Sequence, residues 1–172
     1  MGCETEDVEI RRAGPRDAEP LADLHLDVWE EAYTGLIPER ILLERRDRRR
    51  ERIERWRQIL TVDAHPSWVA VDTEPGLLGF ATSGYKPDAS SAELPSLRLM
   101  ALYVRQRCYG TGLGSRLLAT AVGDRAAHLW VLDGNLRAIS FYRRHGFVFD
   151  GHSELDDHGR ERRMVRARSQ VR

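Results

Sequence analysis

The chain is short of cysteine, of lysine, of net charge and of long apolar runs, and each shortage excludes something. Its two cysteines, Cys3 and Cys108, lie far apart in 172 residues. They supply neither a disulfide framework nor a cysteine-based zinc site, and a reducing, cytoplasmic compartment is expected. The six histidines show no H-x-x-x-H or other ligand spacing, so no metal site is expected. No stretch approaches the roughly 18 apolar residues of a membrane span. The opening MGCETEDVEI has no signal-peptide pattern, and Glu6 stands where a myristoylation site wants Ser or Thr. No membrane association is therefore expected. A formal net charge of zero speaks against a general nucleic-acid binder. Lys86 is the one lysine among 27 basic residues, a bias that fits a GC-rich bacterial genome rather than a function.

What is present is a chain with 41% apolar and 31% charged residues, the balance of a globular protein. Its length predicts a single domain over 1–172, with a core over about 8–167. Val8–Arg12 alternates as a first strand, and Pro15 then suits a helix start. Leu21, Leu24, Val28 or Trp29, and Ala32 recur at helical spacing up to Tyr33. After Thr34-Gly35, a second helix is predicted from Pro38 to about Leu60, with Ile53, Trp56 and Leu60 as its buried stripe. Residues 44–57 of that helix hold eight Arg against four Asp or Glu. The run reads first as a solvated face with pairs such as Glu44–Arg48 and Glu51–Arg55, and second as a dock for an acidic substrate or nucleic acid.

Ser67–Val71 and Leu77–Tyr85 predict an antiparallel pair around a turn at Glu74-Pro75-Gly76. A polar loop over 87–96 follows. Leu99-Met100-Ala101-Leu102-Tyr103-Val104 reads as a buried strand. Three alternate glycines, Gly110, Gly112 and Gly114, lead through Ser115 into a helix expected to reach about Ala127. His128–Leu132 is the next strand, Asn135 an N-cap, Leu136–His145 a short helix and Gly146 its C-cap. Phe147–Phe149 and Arg163–Arg166 complete the strands, with a hairpin tip at Asp156–Gly159. The expected architecture is a mixed α/β fold: a mostly antiparallel sheet of six or seven strands flanked by about four helices.

Strand, glycine-rich turn and helix start make a site for an anion, because free N–H groups converge where no Cβ blocks approach. A dinucleotide fold would need glycine at position 115, and a P-loop would need a lysine. Instead, Arg107-Cys108-Tyr109-Gly110-Thr111-Gly112 fits Q/R-x-x-G-x-G/A. This resembles the pyrophosphate loop of the GNAT acyl-CoA N-acyltransferases. A second stretch, Asn135-Leu136-Arg137-Ala138-Ile139-Ser140-Phe141-Tyr142-Arg143-Arg144-His145-Gly146-Phe147, is similar to the other hallmark of that superfamily, N-x-x-A-x-x-F-Y-x-x-x-G-F.

The resemblance implies the GNAT fold, with two strands splayed at the cofactor site, and acetyl-CoA as acyl donor. By it, backbone N–H groups of Arg107, Cys108, Tyr109, Gly110, Thr111, Gly112, Leu113, Gly114 and Ser115 hold the pyrophosphate. The pantetheine arm lies between the strands ending at Val104 and Leu132, and an N–H near Leu102, Tyr103 or Val104 polarises the thioester carbonyl. Asn135 and Ala138 border the arm, and Tyr142 is the general acid to the leaving thiolate. Arg105, Arg107 or Arg144 would meet the 3′-phosphate. The glycine-loop strand offers Met100 and Ala101 where some relatives carry a catalytic glutamate. The base is then sought in Glu30, Glu31, Glu93 or a water relay. Cys108 reads as an alkylation-sensitive thiol and not as a nucleophile.

The activity so implied is N-acetylation of a primary amine, on a small molecule first. A protein N-terminus or lysine, bordered by Trp29, Tyr33 and the 87–96 loop, is the alternative acceptor. A non-catalytic acyl-CoA sensor is the reading from another class. Many members dimerise, and a homodimer is compatible.

Overall fold

The computed structural model describes residues 7–62, 65–72, 76–86 and 94–167. Cys3, Glu6, the Glu74-Pro75 part of the expected turn, and residues 87–93 with Glu93 lie outside the described residues. A seven-stranded sheet runs through the molecule in the order β1-β2-β3-β4-β5-β7-β6. Its strands are β1 (Glu9–Arg12), β2 (Ser67–Val71), β3 (Leu77–Tyr85), β4 (Leu97–Val104), β5 (Ala127–Leu132), β6 (Val148–Asp156) and β7 (Gly159–Arg166). Every pairing is antiparallel except β4 with β5. Five helices accompany them: α1 (Ala18–Tyr33), α2 (Glu39–Asp47), α3 (Arg49–Val62), α4 (Leu113–Ala121) and α5 (Leu136–Arg144).

The helices separate into two apolar clusters. Leu113, Leu117 and Leu118 of α4 and Ile139 and Tyr142 of α5 pack with Leu78, Leu129, Val131 and Phe147. Leu21, Leu24 and Val28 of α1 pack with Ile53 and Trp56 of α3 and with Val69 and Phe80. The predicted stripe on α1 thus faces the sheet as its spacing requires.

Two helices differ from expectation. The helix predicted over 38–60 is broken at Arg48, whose φ and ψ are −92° and 28°. No proline or glycine is there to announce the break. It lets Ile41 and Leu42 pack against Leu132 in a third small cluster while Ile53 and Trp56 join the α1 cluster, so two separate cores pull one apolar pattern into two axes. The helix after the glycine turn stops at Ala121, short of Ala127. Gly123 takes a left-handed φ of +59° and donates its N–H to the Ala119 carbonyl, closing the helix end.

The arrangement that positions the site is a failure of pairing. β4 and β5 meet at a single register pair, Arg98 with His128, and then diverge. On its other edge β4 stays paired to β3 as far as Gly79–Val104, with an irregularity between Thr82 and Ser83 that leaves Met100 without an opposite partner. Beyond Arg98, the β5-facing edge of β4 is therefore open.

Candidate active site

Two cavities meet at β4. The first is a cleft of about 100 Å³ between the diverging strands, lined by Leu99–Val104 of β4, Leu129–Val131 of β5, and Asn135, Ala138, Phe141 and Tyr142 at and along α5. It reaches Gly114 at the start of α4. The second, of about 910 Å³, lies under α1, α2 and α3 and reaches the β6–β7 hairpin through His158 and Glu161. Tyr33, Leu99, Met100, Ala101 and Tyr103 border both.

At the mouth of the cleft the glycine loop is divided between self-bonded and open donors. Residues Gln106–Cys108 form a 3-10 turn, and the N–H groups of Cys108, Tyr109 and Thr111 are spent on Arg105, Gln106 and Cys108 carbonyls. The Gln106 N–H is donated to Glu31. Among the described residues, the N–H groups of Gly110, Gly112, Leu113, Gly114 and Ser115 take no part in such bonds. Gly110 and Gly112 have φ of +78° and +86°, and a Cβ on either would meet nothing within 4 Å. A loop held left-handed, with space before it and free N–H groups at a helix start, fits a diphosphate. The expected set of nine N–H donors is thus narrower: Cys108, Tyr109 and Thr111 serve the turn itself.

The flanking side chains are also sorted. Arg105, one of three arginines expected near phosphate, bonds Asp27 at 2.8 Å and lies 3.5 Å from Glu31, so it is occupied. Arg107 and Arg144 are exposed. Arg137 stacks 3.6 Å over the Tyr109 ring. The Ser115 hydroxyl meets His145 Nε2 at 3.0 Å, tying α4 to α5. Cys108 is buried and disulfide-bonded, which corrects the expectation of an alkylation-sensitive thiol and removes the cysteine argument for a reducing compartment.

Deeper in the cleft, Asn135 caps α5: its Oδ1 accepts from the Ala138 N–H at 3.1 Å. This cap aims the first turns of α5 so that Tyr142, 9% exposed, borders the cleft. Burial pushes the Tyr142 phenol well above its ordinary pKa; nearby Tyr103 adds to this and Arg137 opposes it. The phenol therefore keeps its proton at any physiological pH. Beside it the Tyr33 and Tyr103 hydroxyls are 3.0 Å apart, and burial raises both of their pKa values too.

The base candidates on α1 point elsewhere. Glu30 bonds Arg46 at 2.6 Å on the exposed side, Glu31 bonds the Gln106 N–H, and neither lines either cavity. Glu93 lies outside the described residues. The carboxylate that borders the larger cavity from β7 is Glu161. Burial raises its pKa, Asp156 adds to the rise, and Arg98 and His158 counter it. His25 also lines this cavity, ringed by Trp29, Trp56, Phe80 and Tyr103, with its Nδ1 buried and unpartnered. Burial first, then three neighbouring arginines, push its pKa well below the ordinary value, so the ring is neutral.

The arginine run of α2 and α3 has two faces. Arg46 bonds Glu30 and Asp27, and Arg49 bonds Asp23 and Glu19, clamping these helices to α1. Arg45, Arg48, Arg52 and Arg55 border the larger cavity instead. The expected pairs Glu44–Arg48 and Glu51–Arg55 do not form among the described residues. Sequence reasoning missed His25 and Glu161 as cavity residues, whereas Tyr103 was expected at the thioester and Tyr33 beside the acceptor, and both line the cavities. For the wall formed by α2 and α3, the excess of arginine was the signal, and it was equally the mark of a solvated helix. Among the described residues, no group of three or more His, Cys, Asp or Glu is placed to hold a metal, and no helix is long and apolar enough to cross a membrane.

Comparison with known proteins agrees with this geometry. Residues 23–147 match the model of the acetyltransferase (GNAT) family. The chain is 27% identical over 147 residues to a probable N-acetyltransferase of Mycobacterium tuberculosis, covering 84% of this chain and 82% of that one. Its fold is similar to the PaiA N-acetyltransferase of Thermoplasma acidophilum solved in complex with coenzyme A, with TM-score 0.69, 21% identity, and 93% and 98% of the two chains covered. PH1933 of Pyrococcus horikoshii is similar at TM-score 0.70 and 24% identity, with 95% and 99% covered.

Proposed function

Because the chain belongs to the GNAT acetyltransferase family, it is an acetyl-CoA-dependent N-acetyltransferase, and we propose that its acceptor is the primary amine of a small molecule. The observation that carries this reading is the meeting of a narrow cleft and a large side-chain-lined cavity at Leu99–Tyr103, with the Tyr142 phenol beside the junction. A cavity of about 910 Å³ is of the size that encloses a small ligand, whereas a peptide is commonly held in an open groove.

Bound acetyl-CoA supplies the activated acyl carbonyl. In this reading, the free N–H groups of Gly110, Gly112 and Leu113–Ser115 hold the diphosphate. The open edge of β4 bonds the amides of the pantetheine arm, and Asn135 and Ala138 border that arm. An N–H in the Leu102–Val104 segment polarises the carbonyl. Glu161, kept less acidic than an ordinary glutamate by burial, takes a proton from the incoming ammonium. The freed amine forms a C–N bond to the acetyl carbon as the C–S bond breaks. Tyr142 donates its proton to the departing sulfur and recovers one from the new amide nitrogen, so one proton is released to solvent per turnover. A raised phenol pKa does not defeat this step, because the low-dielectric surroundings that disfavour phenolate disfavour a naked thiolate as well.

The test is acetyl-CoA-dependent release of free thiol over a panel of small amines, beside labelling of a peptide array. Turnover of small amines with an unlabelled array is the expected result. A labelled array with inert small amines would move the acceptor to the protein class. Binding of acetyl-CoA without transfer to anything would make the chain a sensor.

A further inference from the structure

Six cationic side chains border the larger cavity, from Arg45, Arg48, Arg52 and Arg55 to Lys86 and Arg98, against two carboxylates, Glu51 and Glu161. In a chain of zero net charge this is a local excess rather than a general one. Arg45 Nε and Nη2 and Arg52 Nε are buried with no hydrogen-bond partner among the described residues, and the two guanidiniums repel one another across the cavity wall. Burial, with Arg52 second, pulls the Arg45 pKa down to about 10, and burial with Arg55 lowers that of Arg52. The Arg45 guanidinium is fixed in place by stacking 3.3 Å above Trp29.

A stable fold places arginine at partners: Arg46 and Arg49, one and three residues away, each hold two carboxylates of α1. Arg45 and Arg52 carry the same charge on the cavity side with no carboxylate bonded among the described residues, which is costly unless an anion arrives. The planar guanidinium fork matches carboxylate and phosphate oxygens. The unpartnered Nδ1 of the neutral His25 ring adds a polar atom to the same wall.

We infer that the acceptor is an acidic amine, a small molecule whose carboxylate or phosphonate is held by Arg45 and Arg52 while its amine reaches the junction at Tyr103 and Tyr142. This rests on the acetyltransferase reading above. Glu161 borders the same cavity and would meet the ammonium of the same molecule.

The test uses calorimetry of the purified protein with its CoA site filled, so that binding is read without turnover. L-Aspartate, L-glutamate and 2-aminoethylphosphonate are each titrated beside a neutral counterpart, the diamide or the diester. At least one acidic amine is expected to bind roughly 10- to 100-fold tighter than its neutral counterpart, since charge-assisted bonds from guanidinium supply that range. The preference for carboxylate or phosphonate identifies the anion. R45Q and R52Q should each remove most of that preference and leave acetyl-CoA affinity unchanged, with R52K restoring part of it. Equal binding of acidic and neutral amines by the wild-type protein, or an undiminished preference in R52Q, would overturn the inference. Should acidic amines bind selectively yet never be acetylated, this anion site stands and the catalytic reading falls. Acetylation of neutral amines alone would do the reverse.

Discussion

Between β4 and β5 the site is made of backbone; under α1, α2 and α3 it is made of side chains. The cleft proposed for the donor has an unpaired strand edge, two left-handed glycines and a run of N–H groups without backbone partners among the described residues, all within residues 97–115. The cavity proposed for the acceptor draws His25, Arg45, Arg52, Tyr103 and Glu161 from five separate elements. The difference teaches what each half can vary. A backbone site keeps its chemistry whatever the side chains are, provided the glycines remain. A side-chain site can change its ligand by single substitutions while the sheet beneath stays as it is.

The widest test of that contrast lies at the boundary, where one side chain serves the backbone half. Tyr142→Phe removes a proton donor and little volume. The kcat is expected to fall roughly 100- to 1,000-fold, within the range of general-acid catalysis. The acetyl-CoA dissociation constant should stay within about twofold, because the N–H groups proposed to grip the donor are left alone by this change. Equal kcat in the variant, measured by thiol release, would remove the phenol from the mechanism.

The same contrast explains what was legible in the sequence. Gly110, Gly112 and the Asn135-to-Phe147 pattern announced the cleft because backbone recognition needs particular residues at particular spacings. The antiparallel pairing of β2 with β3, the Asn135 cap and the hairpin tip at Asp156–Gly159 followed from local chemistry alone. The break at Arg48 did not, because it arises from two distant cores competing for one helix. Nor did Glu161, which reads as one more charge in a β-strand of arginines until β5 and β7 are paired and Leu132 is opposite it. The base was sought on α1, whose Glu30 and Glu31 are instead spent on holding Arg46 and the Gln106 N–H.

A second test strikes the backbone half directly. Gly112→Ala places a Cβ on a residue at φ +86°, in space the protein leaves open. The left-handed backbone costs an alanine about 1 kcal/mol, visible as a modest fall in Tm. The larger consequence is for donor binding: acetyl-CoA affinity should weaken roughly 10-fold by calorimetry, while the affinity for the acceptor amine is unchanged. A change in acceptor affinity instead would mean that the two halves are not separable.

Glu161→Gln tests the side-chain half with a smaller expected effect, roughly 10-fold in kcat/KM near neutral pH, since a water relay can still carry the proton. The sign of the pH dependence is fixed by the raised pKa. As the proposed base Glu161 would work as carboxylate, so activity should fall as pH drops through its pKa, with that limb above the usual glutamate value. In the glutamine variant this limb should disappear from the kcat/KM profile. A limb that persists unchanged would assign it to another group.

The smallest effect belongs to an arginine that differs from Arg52 only in which way it faces. Arg49 begins α3 and holds Asp23 at 2.6 Å and Glu19 at 2.9 Å on an exposed surface. Exposed pairs of this kind contribute little, because solvent screens them and ordering two long side chains opposes the gain. Arg49→Ala should therefore leave kcat/KM for an acidic amine within twofold and Tm nearly unmoved, although it deletes two ion pairs where R52Q deletes none. If the two substitutions proved equal in effect on acceptor affinity, a general positive field from the arginine run, rather than contact within the cavity, would be what draws the acid in. A steep salt dependence shared by both variants would mark that case, whereas contact inside the cavity predicts that salt distinguishes them little and position distinguishes them fully.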